Sequence, residues 1–410
     1  MSAGTLAAGA LVVAGVALGM PGLGLVGVLA LAIAGIGRLT ARVGLRGVTF
    51  ERRLGRDRMV WGDEIPLDLV VRNGKLLPLA LLVAESVVSE GVSVHGRALA
   101  AAERPGWLAI RDAWTLAWYE RVVRHLRLVG ERRGRFVLGP TRLTVADLFG
   151  RDAARVTLDG EVAYVVRPRT VPVRDRGRAQ APLGRRRAPT GLHEEPTLFA
   201  GVRPYRAGDP PRRIHWRATA RTGEPVSRRY DAPRAREAFV ALDVQTVDGP
   251  YWRRDAVEPR VEELAVVAAS LARTLLRDGV ATGFGAAAYT GRRERLAWIP
   301  PRSGPQRLAA IADALGRMGL HPSAPFESVL VRIPRTVPPG TTVHVLTARD
   351  PGPYLAPLRR LVASGYEVRL VLVGPAGAAM AGRVARAGIA TAVATLDPDW
   401  RTATAVDLAA

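Results

Sequence analysis

Hydrophobic and polar positions divide the chain into segments of distinct character, and the first segment is apolar throughout. Residues 1–37 contain no charged side chain. At about 1.5 Å per helical residue this run is nearly twice the ~20 residues that cross a bilayer, and Gly19-Met20-Pro21-Gly22 interrupts it in the middle. We therefore expect a transmembrane helical hairpin built from Leu6–Leu18 and Leu23–Ile36. A single tilted span and a cleaved signal peptide are the alternatives.

Basic residues follow this apolar segment directly, while the turn between its two halves carries no charge. They are Arg38, Arg42, Arg46, Arg52 and Arg53. By the positive-inside tendency, the pattern predicts a two-pass protein of the bacterial inner (plasma) membrane whose soluble domains lie in the cytoplasm. The same arginines can contact anionic headgroups, so the lipid bilayer is a predicted partner.

Between residues 48 and 167, apolar and polar residues alternate instead of forming one continuous apolar run. Apolar side chains occupy every second position over Ile65–Val71, and Asn73-Gly74 supplies a turn. Six or seven runs of this kind predict a β-rich, β-sandwich-like domain over 48–167. Residues 168–198 are rich in Pro, Gly and Arg and predict an extended basic linker.

Strand and helix patterns alternate in the remainder of the chain. Strands are predicted at Val226–Tyr230, Ala238–Val244, Ala281–Tyr289, Thr342–Thr347, Glu367–Val373 and Ile389–Ala394. Helices are predicted at Val257–Arg277, Gln306–Arg317, Leu355–Ala363 and Ala376–Ala387. Regular β–α repetition favours a mainly parallel sheet with both faces covered, so residues 199–410 are predicted to form an α/β domain.

Composition narrows the function classes. The net charge of +22 is typical of a nucleic-acid binder, yet Lys75 is the only lysine in the sequence. Because this arginine bias accompanies abundant Ala, Gly, Val and Pro, it indicates high-GC bacterial codon use, and we expect no specific nucleic acid as a partner. The absence of cysteine excludes disulfides, thiolate metal sites and cysteine nucleophiles.

One segment, Gly201–Arg221, combines charges, aromatic rings and turn residues at a spacing that core packing does not require. Its distinctive positions are Arg203, Tyr205, Gly208, Asp209, Arg213, Ile214, Trp216, Ala218, Ala220 and Arg221. Asp209 can accept hydrogen bonds from the free amides of a helix start, and Pro210 suits the first helical position, so a helix is expected over Pro210–Arg221.

Two interpretations of this helix remain open. Trp216 and Ala220 lie one turn apart, which gives an apolar face with a small residue, while Arg213 and Arg217 make another face cationic. Either the helix packs through Trp216 and an arginine anchors it to Asp209, or it presents a surface for a partner.

The same positions resemble, in register, the signature of the bacterial domain of unknown function 58 family. The runs Arg133–Pro140 and Asp147–Gly150 resemble turn and edge segments of that family. The resemblance implies a von Willebrand factor A-like carboxyl-terminal half, whose first strand ends in Asp-x-Ser-x-Ser and binds a divalent cation. It also implies a MoxR-type AAA+ ATPase as partner, with roles in the assembly or maturation of other complexes.

This chain departs from the cation-binding pattern. Asp243 occupies the aspartate position at the end of the predicted strand, but Gln245 and Val247 replace the two serines. Because a hard cation needs several oxygen ligands, we expect no metal at Asp243. Other oxygens near the same sheet edge are those of Thr246, Asp248, Thr347 and Asp350.

Sequence motifs of familiar enzymes do not occur: the chain has no Gly-x-Ser-x-Gly elbow, no His-Glu-x-x-His and no Gly-x-x-x-x-Gly-Lys-Ser/Thr loop. We therefore predict a membrane-anchored, non-enzymatic protein-interaction module without catalytic residues or a cofactor. The alternatives are an anionic-lipid or nucleic-acid binding protein and a metal-dependent hydrolase that uses Asp209 and Asp243.

Overall fold

A computed structural model of the chain separates into two compact units, Met1–Arg167 and Pro168–Ala410. The residues it describes are 3–146, 152–175, 199–206, 209, 211, 214–230, 236–253, 256–291, 295–374, 380–382, 384–386, 388–397 and 399–409.

The first unit begins with two helices, α1 (Ala3–Ala17) and α2 (Pro21–Gly44), which pack against each other. A Cβ atom at Gly15 would clash with the backbone nitrogen of Gly24, so glycine permits the close approach of the two backbones.

The predicted transmembrane hairpin is wrong. In the described part of the chain, no helix combines the length and the apolarity that crossing a membrane requires. With 15 residues, α1 is about 22 Å long against a hydrocarbon thickness of about 30 Å. Helix α2 does not end at Ile36 as predicted but continues through Arg38 and Arg42, so its last turns are charged. The two-pass membrane localisation, with its cytoplasmic orientation, rested on this hairpin and is likewise contradicted.

The rest of the first unit consists of strands that form two sheets. They are β1 (Val48–Leu54), β2 (Arg58–Val60), β3 (Glu64–Asn73), β4 (Leu79–Ser89), β5 (Val92–Val94), β6 (Ala100–Ala101), β7 (Trp107–Leu116), β8 (Arg121–Gly130), β9 (Gly134–Ala146), β10 (Asp152–Leu158) and β11 (Val162–Arg167). One sheet has the order β1-β3-β8-β5; the other has the order β2-β11-β9-β4-β7-β6, with β10 also paired to β9.

The two sheets enclose one apolar core, to which alternate residues of each strand contribute. In β3 the side chains from Ile65 to Val71 that face inward are at most 3% exposed. Across the core, the ring centroids of Phe50 in one sheet and Trp114 in the other are 6.1 Å apart. The Arg133–Pro140 run leads into and forms the first part of β9, whereas Asp147–Gly150 lies outside the described residues.

The second unit contains the remaining elements. In chain order they are β12 (Val173–Asp175), β13 (Phe199–Pro204), α3 (Trp216–Thr222), β14 (Val226–Tyr230), β15 (Glu237–Leu242), α4 (Glu258–Arg277), β16 (Ala281–Ala286), β17 (Ala297–Arg302), α5 (Pro305–Arg317), α6 (Glu327–Thr336), β18 (Thr342–Thr347), α7 (Leu355–Ala363), β19 (Glu367–Val373), β20 (Ala390–Leu396) and β21 (Val406–Ala409). The predicted linker 168–198 thus includes β12, and its residues 176–198 lie outside the described residues.

An eight-stranded sheet with the order β12-β21-β20-β19-β18-β15-β16-β17 forms the centre of this unit. Strands β15, β16, β18, β19 and β20 run parallel, but β17 and β21 pair antiparallel with β16 and β20, so the sheet is mixed. Helix α4 lies against the sheet and α5 and is buried on all sides over residues 264–272, and helices α6 and α7 share an apolar cluster with β15, β18 and β19. A separate antiparallel hairpin, β13-β14, carries the region singled out in the sequence.

Candidate functional site

The candidate site is the hairpin β13-β14 together with the short helix α3 that it holds. Backbone pairing runs from Phe199–Tyr230 to Pro204–Val226, and an isolated bridge joins Ile214 to Ser227. The N–H of His215 then donates to the carbonyl of Val226 at 2.7 Å. The chain therefore follows β14 as far as His215 and enters α3 directly afterwards.

Asp209 fixes the loop between β13 and α3. Its Oδ1 accepts a hydrogen bond from Arg203 at 2.6 Å, and its Oδ2 accepts from the N–H of Arg206 at 3.1 Å and from the hydroxyl of Ser227 at 3.2 Å. The hydroxyl of Tyr205 donates to the backbone oxygen of Asp209 at 3.1 Å. The Arg203 guanidinium and the Arg206 amide lower the pKa of Asp209 to about 2. Asp209 thus connects both strands of the hairpin to the loop.

The predicted helix Pro210–Arg221 is wrong at its start. Helix α3 begins at Trp216, and its N-cap is His215, whose ring Nδ1 accepts from the N–H of Ala218 at 3.1 Å. Pairing with β14 competes with helix formation up to His215, and Asp209 is engaged by Arg203 instead of capping the helix. Gly208 and Arg213, two of the predicted site residues, lie outside the described residues.

Trp216 projects into solvent. Its side chain is 68% exposed, and none of the seven residues of α3 is buried. Arg217, Ala220 and Arg221 are exposed on the same short helix. Gly223 ends it in the left-handed conformation with φ of 76°, which glycine adopts without steric penalty. Of the two interpretations, the structure does not support packing through Trp216. The tryptophan side chain is accessible to a partner.

The second candidate position, Asp243, follows β15 at the carboxyl edge of the parallel strands and is 1% exposed. Its Oδ2 accepts from Nε of Arg349 at 2.8 Å, from the hydroxyl of Tyr354 at 3.0 Å and from that of Thr347 at 3.2 Å. Its Oδ1 accepts from the N–H of Gln245 at 3.1 Å. Both carboxylate oxygens are therefore engaged by groups of the protein itself.

Burial raises the pKa of Asp243 above its usual value, and the Arg349 guanidinium together with the Tyr354 hydroxyl opposes the rise. Burial also disfavours the charge on Arg349, but the Asp243 carboxylate outweighs it and raises the pKa of Arg349. A guanidinium within hydrogen-bond distance repels a divalent cation. These residues therefore do not fit a metal at Asp243.

Two of the other oxygens near this edge are also engaged locally, while Asp248 is exposed. Thr246 accepts from the N–H of Val257 at 2.9 Å, and Asp350 accepts from the N–H of Gly352 at 3.0 Å. Across the described residues, no group of three or more His, Asp or Glu side chains is placed to hold a metal ion. Asp209 and Asp243, the pair proposed for a hydrolase, are each hydrogen-bonded to an arginine.

Sequence reasoning missed four residues that organise these two positions: His215, Ser227, Arg349 and Tyr354. His215 lies in the segment Gly201–Arg221, whereas Ser227 lies outside it in β14 and is fully buried, which no sequence pattern had indicated. Arg349 and Tyr354 lie 106 and 111 residues from Asp243 along the chain, so only the parallel pairing of β15 with β18 brings them together.

The match to a known family covers both the hairpin β13-β14 and part of the eight-stranded sheet. Residues 201–330 match the model of a family described as protein of unknown function DUF58. This region belongs to the DUF58 family. The match includes the signature residues from Arg203 to Arg221 and extends over β15, α4 and β16.

A relative of this chain is the uncharacterized protein YeaD of Bacillus subtilis (strain 168), which is 23% identical over 251 residues. The alignment covers 60% of this chain and 57% of YeaD, so the chain matches less than two thirds of the relative's length.

Similar solved structures include the CARDB domain of the PF1109 protein from Pyrococcus furiosus, with a TM-score of 0.18 and 13% identity over 27% of this chain and 85% of that one. Another is Spo0M, a sporulation control protein from Bacillus subtilis, with a TM-score of 0.16 and 10% identity over 28% of this chain and 49% of that one. These TM-scores are too low to carry an argument about fold or function.

Proposed function

We propose that the DUF58 region is a non-enzymatic protein-interaction module that binds an acidic protein surface through Trp216 and its neighbours. The Trp216 face consists of Trp216, Arg217, Ala220 and Arg221. For the partner we propose a MoxR-type AAA+ ATPase that acts in the assembly or maturation of other complexes. The support for this partner is the family resemblance, and the support for the binding surface is the geometry of α3.

The exposure of Trp216 is the observation that carries the proposal. A tryptophan that is 68% exposed leaves most of its apolar surface in water, which the fold does not need. Tryptophan and arginine are the residues most enriched among those that dominate binding energy in protein interfaces. Ala220, one turn from Trp216, leaves room for a partner side chain to approach.

The hydrogen bonds that hold α3 against the hairpin also support the Trp216 face as a binding surface. Asp209 joins Arg203 of β13 to Ser227 of β14, and His215 is hydrogen-bonded both to β14 and to the first turn of α3. The helix is therefore held in one position before a partner arrives. Preorganisation of this kind lowers the entropy lost on binding.

Charge defines the class of partner. Arg217 and Arg221 follow Trp216 in the helix, and Arg228 is exposed on the neighbouring strand β14. An acidic side chain, Glu224, is exposed at the turn after the helix. An acidic protein surface complements this arrangement and increases its association rate.

The test measures binding of the full chain to a purified MoxR-type ATPase encoded in the same genome, by calorimetry. Trp216→Ala is expected to weaken binding about 30-fold, because truncating a central interface tryptophan costs about 2 kcal/mol or more. Trp252→Ala is the matched control, since Trp252 is 69% exposed in the same unit but lies outside the signature.

Binding of the control variant is expected to equal that of the unaltered chain. Equal affinity for the Trp216 and Trp252 variants, with both folded, contradicts the proposed face. If the ATPase does not bind at all while an acidic protein does so through Trp216, the proposed partner is wrong and the surface stands. Nucleic-acid binding, the alternative class, is distinguished by a steep fall in affinity with salt.

A further inference from the structure

One end of the strand-rich domain in the first unit carries a group of exposed apolar side chains. Leu76 lies in the loop between β3 and β4, and Trp118 and Tyr119 lie in the turn between β7 and β8. Their exposed fractions are 74%, 65% and 61%. We call these three residues the aromatic tip.

Buried hydrogen bonds hold the two loops of the tip together. Asn73 is fully buried, and its Nδ2 donates to the carbonyls of Leu77 at 2.9 Å and Ala117 at 2.8 Å, one in each loop. The N–H of Tyr119 donates to the carbonyl of Lys75 at 3.2 Å. The tip is therefore a fixed surface with contributions from both loops.

Tyr119 adopts a left-handed backbone conformation, with φ of 54°. It is the one residue other than glycine with positive φ among those that the structure describes. Glycine adopts this conformation without strain, whereas a bulky side chain does not. A tyrosine here presents its ring to solvent at the expense of the fold.

Positive charge lies beside the tip, next to the carboxylate of Glu120, which accepts a hydrogen bond from the N–H of Ala117 at 2.6 Å. Arg72 of β3 and Arg121 of β8 are directly opposite each other in the ladder, and both are exposed. Like charges in this position repel. No acidic side chain pairs with either arginine within the described portion of the chain. An anion bound between them would relieve the repulsion.

The geometry points to an anionic lipid surface as the occupant: the aromatic tip inserts at headgroup level while Arg72 and Arg121 contact lipid phosphates. Tryptophan and tyrosine prefer the headgroup region because one end of each ring is apolar and the other polar. Leu76 adds a third exposed apolar side chain. The proposed contact is with the bilayer surface and does not require a segment that crosses the membrane.

Protein partners are the competing occupant, and the charges favour lipid. Two adjacent arginines can contact phosphates anywhere on an anionic lipid surface, because its phosphates are closely spaced. Each basic residue near such a surface changes the affinity about fivefold. Two protruding loops with a leucine and two aromatic rings at their ends also suit a deformable layer of headgroups.

The absence of cysteine in the chain allows a probe at the tip. Helices α1 and α2 also expose apolar side chains, so adsorption of the whole chain to vesicles does not test the inference. In the full chain, Leu76→Cys labelled with an environment-sensitive fluorophore reports the tip alone. Val331→Cys, at an exposed position of α6 in the second unit (53% exposed), is the matched control.

With phosphatidylglycerol vesicles the Leu76 probe is expected to shift to the blue and to be quenched by brominated lipid chains, while the control probe stays unchanged. Adding Trp118→Ser and Tyr119→Ser is expected to remove both signals. Adding Arg72→Gln and Arg121→Gln is expected to weaken binding about 25-fold. Raising salt from about 0.1 M to about 1 M, which shortens the Debye length from ~10 Å to ~3 Å, is expected to weaken it as well.

Several outcomes overturn the inference. An unshifted Leu76 probe shows that the tip does not enter the bilayer. An equal shift at the control position shows general adsorption, and equal signals on neutral phosphatidylcholine vesicles exclude the role of the arginines. A Leu76 probe that responds only to a protein partner assigns the tip to a protein interface instead.

Discussion

Replacing Arg349 by methionine is expected to destabilise the second unit strongly. The variant keeps a long side chain but removes the Nε–H that bonds Asp243 at 2.8 Å. Removing one partner of a buried ion pair costs about 3–5 kcal/mol. Asp243 retains hydrogen bonds from Tyr354, Thr347 and the N–H of Gln245, so we expect a loss near the lower end, about 3 kcal/mol.

The loss is expected to depend on pH. Burial already raises the pKa of Asp243, and the guanidinium opposes the rise, so its removal raises that pKa further. A carboxyl whose folded pKa exceeds its unfolded value destabilises the fold while it is ionised. The penalty is therefore present at neutral pH and diminishes as the pH falls below the folded pKa, where Asp243 takes up a proton.

Amide hydrogen exchange in β15 and β18 is the appropriate assay, since the N–H of Asp243 donates to the carbonyl of Leu346 across these strands. Asp243→Leu combined with Arg349→Met is the control, because replacing both charges by apolar groups is often near neutral. It is expected to recover most of the loss. A loss below about 1 kcal/mol, a loss equal at neutral and acidic pH, or no recovery in the double variant refutes the reasoning.

Two further predictions concern the hairpin and the strand-rich domain. Because the pKa of Asp209 is lowered to about 2, its stabilisation relative to Asp209→Asn is expected to be present above about pH 4 and to disappear towards about pH 2 in thermal unfolding; a constant difference contradicts the Arg203 contact. Asn73→Ala is expected to destabilise the first unit by about 2 kcal/mol in amide exchange of β3, because two loop carbonyls lose their donors; a change below about 0.5 kcal/mol contradicts that role.

Local patterning predicted several elements of the second unit at their observed bounds, but it missed helix α6. The predicted segments Thr342–Thr347, Leu355–Ala363 and Glu367–Val373 coincide with β18, α7 and β19. Their apolar spacing is set by burial on both faces of one sheet, which is visible in a window of a few residues. The two antiparallel strands that make the sheet mixed were not predicted. Strand β17 includes Pro300 and Pro301. An edge strand tolerates proline, but two consecutive prolines in a sequence argue against predicting a strand there.

Failures arose where contacts between distant residues decide the structure. The charge-free run of residues 1–37 predicted a transmembrane hairpin whose second helix ends at Ile36, whereas α2 continues through charged residues to Gly44. The helix start at Pro210 was displaced because β14 pairs with the chain up to His215. The Arg349 contact to Asp243 depends on sheet register, which no local pattern contains.

Amide hydrogen exchange of the full chain with and without a bound MoxR-type ATPase tests the central claim most directly. We expect slower exchange over α3 and β14 on binding and no change at Trp252, whose side chain is similarly exposed. Binding of the ATPase with unchanged exchange throughout α3 and β14 would contradict it.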